Sequence, residues 1–252
     1  MAKEKKMPIM GHFAEMRKRF FRGVIAVVVA TLLSFIFFNQ IMAVLTAPNP
    51  ELDLQTITIM EPLSIFFRVC LTAGVILAMP YLVYQLFAFL APALSFKEKR
   101  YVYTAVPFIG GLFLAGVAFA YFVALPPAMR FFGAFGSSWV NIEPTISSYI
   151  NIVTRLIVGV GLAFETPLII MVLARIGVVS PEWLARKRKI WVVIAFVLAA
   201  IITPTFDPIN QTIIAVPLIV LYELSIWLSK LVYKRKPKPV PVESDLWGQR
   251  WA

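Results

Sequence analysis

At 252 residues, 60% of them hydrophobic and only 15% charged, the chain is far from the balance of a soluble domain, and lipid is the first solvent to consider. Its formal charge of +11 would suit nucleic acid only if the cations crowded one soluble face, whereas they fall between apolar runs. The single cysteine, Cys70, excludes an intrachain disulfide and, inside an apolar run, reads as a small buried hydrophobe.

The N-terminal MAKEKK leads into a charged segment with no short apolar core before a cleavage site, so no signal peptide is expected. Next come Ile9, Phe13, Met16 and Phe20 at helical spacing, with His12, Glu15 and Arg19 on the other side. This pattern predicts an interfacial helix along the cytoplasmic surface. Glu15 has Arg19 four residues on, an ion-pair spacing worth a few tenths of a kcal/mol (roughly). His12 reads as a capping or interfacial residue, because nothing supplies the other ligands of a metal site.

Six hydrophobic segments follow, at about 23–45, 69–90, 104–125, 150–174, 190–202 and 209–228, and predict an all-α polytopic membrane protein with six transmembrane helices. Lys and Arg crowd one set of connections: residues 3–22, 97–100, 175–189 and the tail. The opposite loops, 46–63, 126–149 and 204–208, hold only Arg130. Cation excess marks the cytoplasmic side, so both termini are assigned there. Arg68 and Arg155, near the outer ends of their segments, read as snorkelling anchors. The proline-rich TAPNP (46–50) and LPP (125–127) are expected to turn the chain at the outer surface, forming a short cap. The last two segments look short for a bilayer, the final one because Asn210, Gln211 and Thr212 interrupt it, which predicts local thinning. Residues 1–230 thus read as one transmembrane domain without internal repeats, and 231–252, rich in Lys and Pro, as a disordered cytoplasmic tail.

Three further acids need an explanation. Glu165, in GVGLAFETPL, lies about 15 Å from the cytoplasmic interface and so near the midplane. Asn151, Thr154, Gly161 and Glu165 project within about 80° of one another, a polar stripe that offers either a partner surface or glue for the bundle. Asp207 precedes Pro208 and Ile209 and is placed to cap the final helix. Glu223, near the inner end of that helix, is within reach of the interface or Lys230.

The segment GHFAEMRKRF (11–20), taken with FLAPALSFKEKR (89–100), FLAGVAFAYF (113–122), FETP around Glu165, SPEWLARKRK (180–189) and TPTFDPINQ (203–211), resembles TatC, the receptor subunit of the twin-arginine protein translocase. The resemblance covers nearly the whole chain with its motifs in order. Phe13 and Met16 stand where leucines are usual, and Phe206 and Pro208 flank the acid differently from some members.

The resemblance implies a concave, glove-like wall of helices in the cell inner membrane, driven by the protonmotive force, and neither an enzyme nor a cofactor binder. It implies that Arg-Arg signal peptides of folded cargo dock on the cytoplasmic face at Glu15, Arg17, Phe89, Leu94 and Glu98. By the same token Glu165, Thr154 and Gly161 form a polar patch for a signal peptide or partner helix. Asp207 and Gln211 contact single-span TatA and TatB subunits, Pro48 belongs to the outer, periplasmic cap, and copies of the chain self-associate. The chemistry of the docking face fits: carboxylates accept paired guanidinium N–H bonds, provided Glu15 and Glu98 are kept free of their cationic neighbours. A rival reading is a small proton-coupled secondary transporter relaying protons through Glu165 and Asp207, against which stands the absence of an inverted repeat. An intramembrane protease would need a nucleophile and base, and the lone histidine precedes the first crossing.

Overall fold

A computed structural model describes residues 9–48, 54–90, 110–134, 144–175, 177–203 and 207–233. They form helices throughout. The only extended pairing among the described residues is an isolated bridge between Gln55 and Thr145, in which Ile146 N–H donates to the Gln55 carbonyl (3.0 Å) and joins two loops at the poorly charged end.

Helix α1, Ile9–Ile36, is uninterrupted for 28 residues, so the amphipathic N-terminal segment and the first apolar segment are one helix and not an interfacial helix plus a span. No proline lies between them, and Gly23, at the junction, packs towards Leu82. A turn at Phe37 leads into α2, Phe38–Thr46. Helix α3, Glu61–Leu90, runs back along α1. Helix α4 is described from Gly110, widens into a π-helical turn at Ala120–Ala124 and continues as Leu125–Ala134. Helix α5, Ile146–Phe164, opens with Thr145 accepting the Ser148 N–H (3.2 Å), and α6, Thr166–Arg175, follows after a break at Glu165. The short α7, Pro181–Arg186, starts from a Ser180 cap, α8 is Arg188–Ile202 and α9 is Pro208–Val232.

Among the described residues, five helical spans are long and apolar enough to cross a membrane: Phe13–Ile36, Glu61–Phe89, Gly110–Phe132, Ile146–Arg175 and Pro208–Val232. Helix α8, at 15 residues about 22 Å long, is the short one. The expectation that the last helix is also short fails, because α9 has 25 residues and is about 38 Å long. Its polar start does not stop it. Asn210 is buried, Gln211 donates to the Phe196 carbonyl of α8 (2.8 Å), and the Thr212 hydroxyl donates back to Pro208 (2.6 Å).

The expected turn at Pro126 and Pro127 is also absent. The Leu125 N–H reaches the Ala120 carbonyl five residues back, and this wider turn moves the preceding carbonyls away from the pyrrolidine rings. The two prolines then open the segment Leu125–Ala134, where their fixed φ suits the helix. At Glu165 the opposite happens. Pro167 cannot donate to the Ala163 carbonyl, the helix breaks, and the Glu165 carbonyl accepts from both Leu168 and Ile169 (3.1 Å each).

Helix α5 is the centre of the main core, with Ile150, Val153, Leu156 and Val160 fully buried against α3, α4, α8 and α9. A second cluster ties α3, α4 and α6 through Phe87, Phe113 and Leu168. Outward faces stay apolar: Val28, Leu32, Val193, Val197 and Val220 are exposed, as lipid as solvent requires. Close approaches depend on glycine. A Cβ at Gly74 would lie 2.7 Å from the Thr31 backbone nitrogen, and one at Gly161 would lie 2.8 Å from the Phe113 ring.

Gly74→Ala is therefore expected to destabilise the α1/α3 contact by about 1–3 kcal/mol. Gly111→Ala, with open space around its Cβ, should leave the midpoint unchanged or slightly raised. Thermal unfolding of the two detergent-solubilised variants checks this; equal midpoints would refute the tight crossing.

Candidate functional site

At the charged end of α1, Arg19 donates from Nε and Nη2 to Glu15 Oε1, at 3.1 and 2.5 Å, with both side chains about a quarter exposed. Glu15 is thus not the free acid expected from the sequence: the helix's own i,i+4 geometry supplies it with a guanidinium. Arg17 is exposed on the same turn. Beside this pair opens a cleft of about 480 Å³ between α1 and α3, lined by Met16, Arg19, Phe20, Val24, Leu82 and Phe89, among others. Gln85 also reaches it; its amide donates to the Tyr81 hydroxyl (2.6 Å), while its carbonyl oxygen is buried without a partner among the described residues. Reading the sequence missed Gln85, although a lone amide in the run YLVYQLFAFL was the signal available. Of the expected docking residues, Leu94 and Glu98 lie outside the described residues.

Glu165 is 3% exposed, and neither carboxylate oxygen has a hydrogen-bond partner among the described residues. The expected polar stripe does not surround it. Thr154 is buried with its hydroxyl donating to Ile150 of its own helix (2.7 Å), the Phe113 ring packs on Gly161, and Asn151 is exposed. Among the described residues the Glu165 carboxylate ties no two helices together. It is a polar group held at the α5/α6 break by the chain's geometry.

Asp207 has the capping role open to it, accepting from Ile209 N–H (3.3 Å) and Asn210 N–H (3.0 Å) at the start of α9. Gln211 links α9 to α8, as described above. Glu223 meets Arg188 (2.7 Å) and not Lys230. Next to that pair the rings of Trp191 and Tyr222 stack at 4.5 Å, and the Tyr222 hydroxyl donates to the Leu184 carbonyl (2.8 Å), fastening α7, α8 and α9 together. At the other end, Pro48 is half-buried just after α2, where Tyr121 and Tyr149 donate to the Val44 (2.6 Å) and Leu45 (2.8 Å) carbonyls.

The family pattern described as "Sec-independent protein translocase protein (TatC)" matches residues 11–217. The chain belongs to the TatC family. Among TatC relatives, the Aquifex aeolicus protein is 39% identical over 239 residues, covering 91% of this chain and 98% of its own length. The Bacillus subtilis TatCy protein is 33% identical over 247 residues, covering 97% of each chain. Two crystal structures of the twin-arginine translocase receptor TatC, one in the detergent DDM, superpose with TM-scores of 0.75 and 0.78 at 38% identity. They cover 88% and 86% of this chain and 99% of each solved chain. TatC membership agrees with the all-helical, multi-span architecture seen here.

Asp207→Ala removes both acceptors from the first turn of α9 and is expected to lower stability by about 1 kcal/mol, whereas Asp207→Ser keeps a cap and most of it. Thermal unfolding of both variants tests this, and an unchanged alanine variant would show that the cap contributes nothing.

Proposed function

We propose that this chain is the receptor and core subunit of a twin-arginine translocase, binding Arg-Arg signal peptides at its basic end and assembling with TatA- and TatB-type single-span subunits to export folded proteins. In this reading six crossings place both termini in the cytoplasm, the helices form a concave wall in the inner membrane, copies self-associate, and the protonmotive force drives transport. One observation carries the docking assignment: Glu15 already holds a guanidinium, at the mouth of an apolar cleft. A carboxylate so placed exchanges one arginine for another, while the apolar residues beside it, Phe89 included, receive the rest of the ligand. Glu98 is assigned as the second arginine receptor, with Leu94 shaping the adjoining surface and Arg17 repelling unpaired cations.

Glu165 is assigned to contact with a signal peptide or a partner helix. A buried acid whose oxygens bond nothing among the described residues is a group suited to an outside donor. Asp207 and Gln211, at the α8/α9 junction, are assigned to the edge where single-span partners pack, in addition to the bonds they make within the chain.

The docking assignment predicts that an Arg-Arg peptide binds the membrane-embedded protein more tightly than its Lys-Lys counterpart. Glu15→Gln should weaken the Arg-Arg peptide about tenfold or more, because a charge-assisted hydrogen bond contributes about 1.5–3 kcal/mol. Fluorescence anisotropy of labelled peptides provides the measurement; equal affinities for the two peptides would sink the assignment.

For Glu165, replacement by leucine should raise the thermal midpoint, by relief of about 2.5 kcal/mol or more of burial cost, and reduce export of a folded reporter. A variant that exports normally would return Glu165 to a purely structural role.

A further inference from the structure

The cleft between α1 and α3 has a lining and a rim of opposite character. On α1 its wall is the stripe Met16, Phe20, Gly23, Val24 and Val27, faced by Leu82 and Leu86 of α3. At its charged end, level with Met16 and Phe20, Arg17 and Arg19 flank this stripe on its two sides, each about 80° from its centre by helical projection. Arg22 adds a cation further round on the Arg19 side, whereas Lys18 projects to the opposite face of the helix. An apolar trough with a cationic rim complements an anionic amphiphile. The cleft's size also falls within the range of ligand pockets, about 300–1,000 Å³.

We infer that this cleft binds an anionic phospholipid, its acyl chain lying along the α1/α3 stripe and its phosphate engaging Arg17 and Arg19. Arg19 is the hinge of the inference, because it lines the cleft and also holds Glu15. Guanidinium N–H groups suit phosphate oxygens as well as they suit a carboxylate. A phosphate that takes Arg19 leaves the Glu15 carboxylate open to an incoming arginine; with the acyl chain keeping to the α1 stripe and the peptide's apolar residues to the Phe89 end of the cleft, lipid and signal peptide bind cooperatively at adjoining sites. The coupling half of this inference rests on the receptor reading; the lipid site itself does not.

The test uses the full chain in nanodiscs of phosphatidylcholine with or without phosphatidylglycerol. Native mass spectrometry should find phosphatidylglycerol retained in preference to phosphatidylcholine on the wild type. That preference should be lost both in the Arg17→Gln/Arg19→Gln double variant and in Val24→Trp, which fills the trough and leaves every charge in place. Unaltered thermal midpoints establish that both variants are folded. Equal retention by the wild type and both variants overturns the site. In a second arm, phosphatidylglycerol should tighten binding of a labelled Arg-Arg peptide about two- to fivefold beyond its effect on Arg19→Gln, the range of a partly exposed ion pair. Identical lipid dependence in the two proteins overturns the coupling. A wild type that binds no peptide in either lipid strikes the receptor reading and leaves the retention result standing.

Discussion

A backbone carbonyl or amide left unpaired inside hydrocarbon has no water to turn to, and this one constraint governs each irregular point of the chain. Where α2 ends, the Tyr121 and Tyr149 hydroxyls cover the Val44 and Leu45 carbonyls. Where two prolines interrupt α4, the helix widens for one turn and goes on. Where Pro167 breaks α5 from α6, the Glu165 carbonyl accepts two amides. At the end of α9, Arg175 donates to the Val232 carbonyl (2.8 Å), placing a cation where the helix dipole is negative. Each repair comes from another helix or the next turn, so the breaks also act as ties between elements.

The same constraint sorts the polar side chains into two sets. Ser34, Thr154, Ser225 and Ser229 direct their hydroxyls to carbonyls of their own helices and need nothing from outside. Glu165, Gln85 and Asn210 each bury at least one polar atom without a partner among the described residues. The first set is compatible with any membrane helix. The second, to which the Thr31 hydroxyl in the α1/α3 crossing also belongs, is expensive to hold in place by packing alone; Glu165, Gln85 and Asn210 lie at the α5/α6 break, beside the α1/α3 cleft and at the start of α9. These are three of the places where outside partners are proposed to bind, and the unfilled hydrogen-bonding capacity is their physical common ground.

Helical membrane architecture was legible because runs of apolar residues and the near absence of charge within them leave no other stable form in lipid. The ends of the helices were less so. Pro126 and Pro127 read as a stop because the proline rule assumes an α-helical turn before them, and a π turn is set by packing that no local pattern announces. Asn210 and Gln211 read as an interruption because their partners lie across the bundle: the Phe196 carbonyl is on another helix. At the candidate site, the i,i+4 spacing of Glu15 and Arg19 announced their ion pair. Gln85 was visible as an amide in an apolar run. That Glu165 has no hydrogen-bond partner among the described residues was hidden, since a helical projection aligned Thr154 with it without revealing that the threonine hydroxyl folds back on Ile150.

If Arg-Arg peptides dock at Glu15 as proposed, the Glu15–Arg19 pair changes what selectivity means at the charged end. A bare carboxylate among cations would attract any positive ligand, lysine and arginine alike. A carboxylate already occupied by guanidinium imposes a comparison: the newcomer must do at least as well as Arg19, which makes two N–H bonds to one oxygen. An ammonium lacks the planar fork and more strongly retains its water, so it loses that comparison, whereas a second guanidinium meets it on equal terms and gains whatever the adjoining apolar wall contributes. The internal arginine therefore acts as a reference ligand. Displacing it costs every newcomer the same free energy, so the arginine peptide's lead still comes from its own planar fork, while the lysine peptide, the weaker binder, falls below useful affinity. The two sides can be close to balance because the pair is only partly buried: deeper in the bundle the ion pair would be too costly to break, and fully exposed it would be too weak to exclude anything.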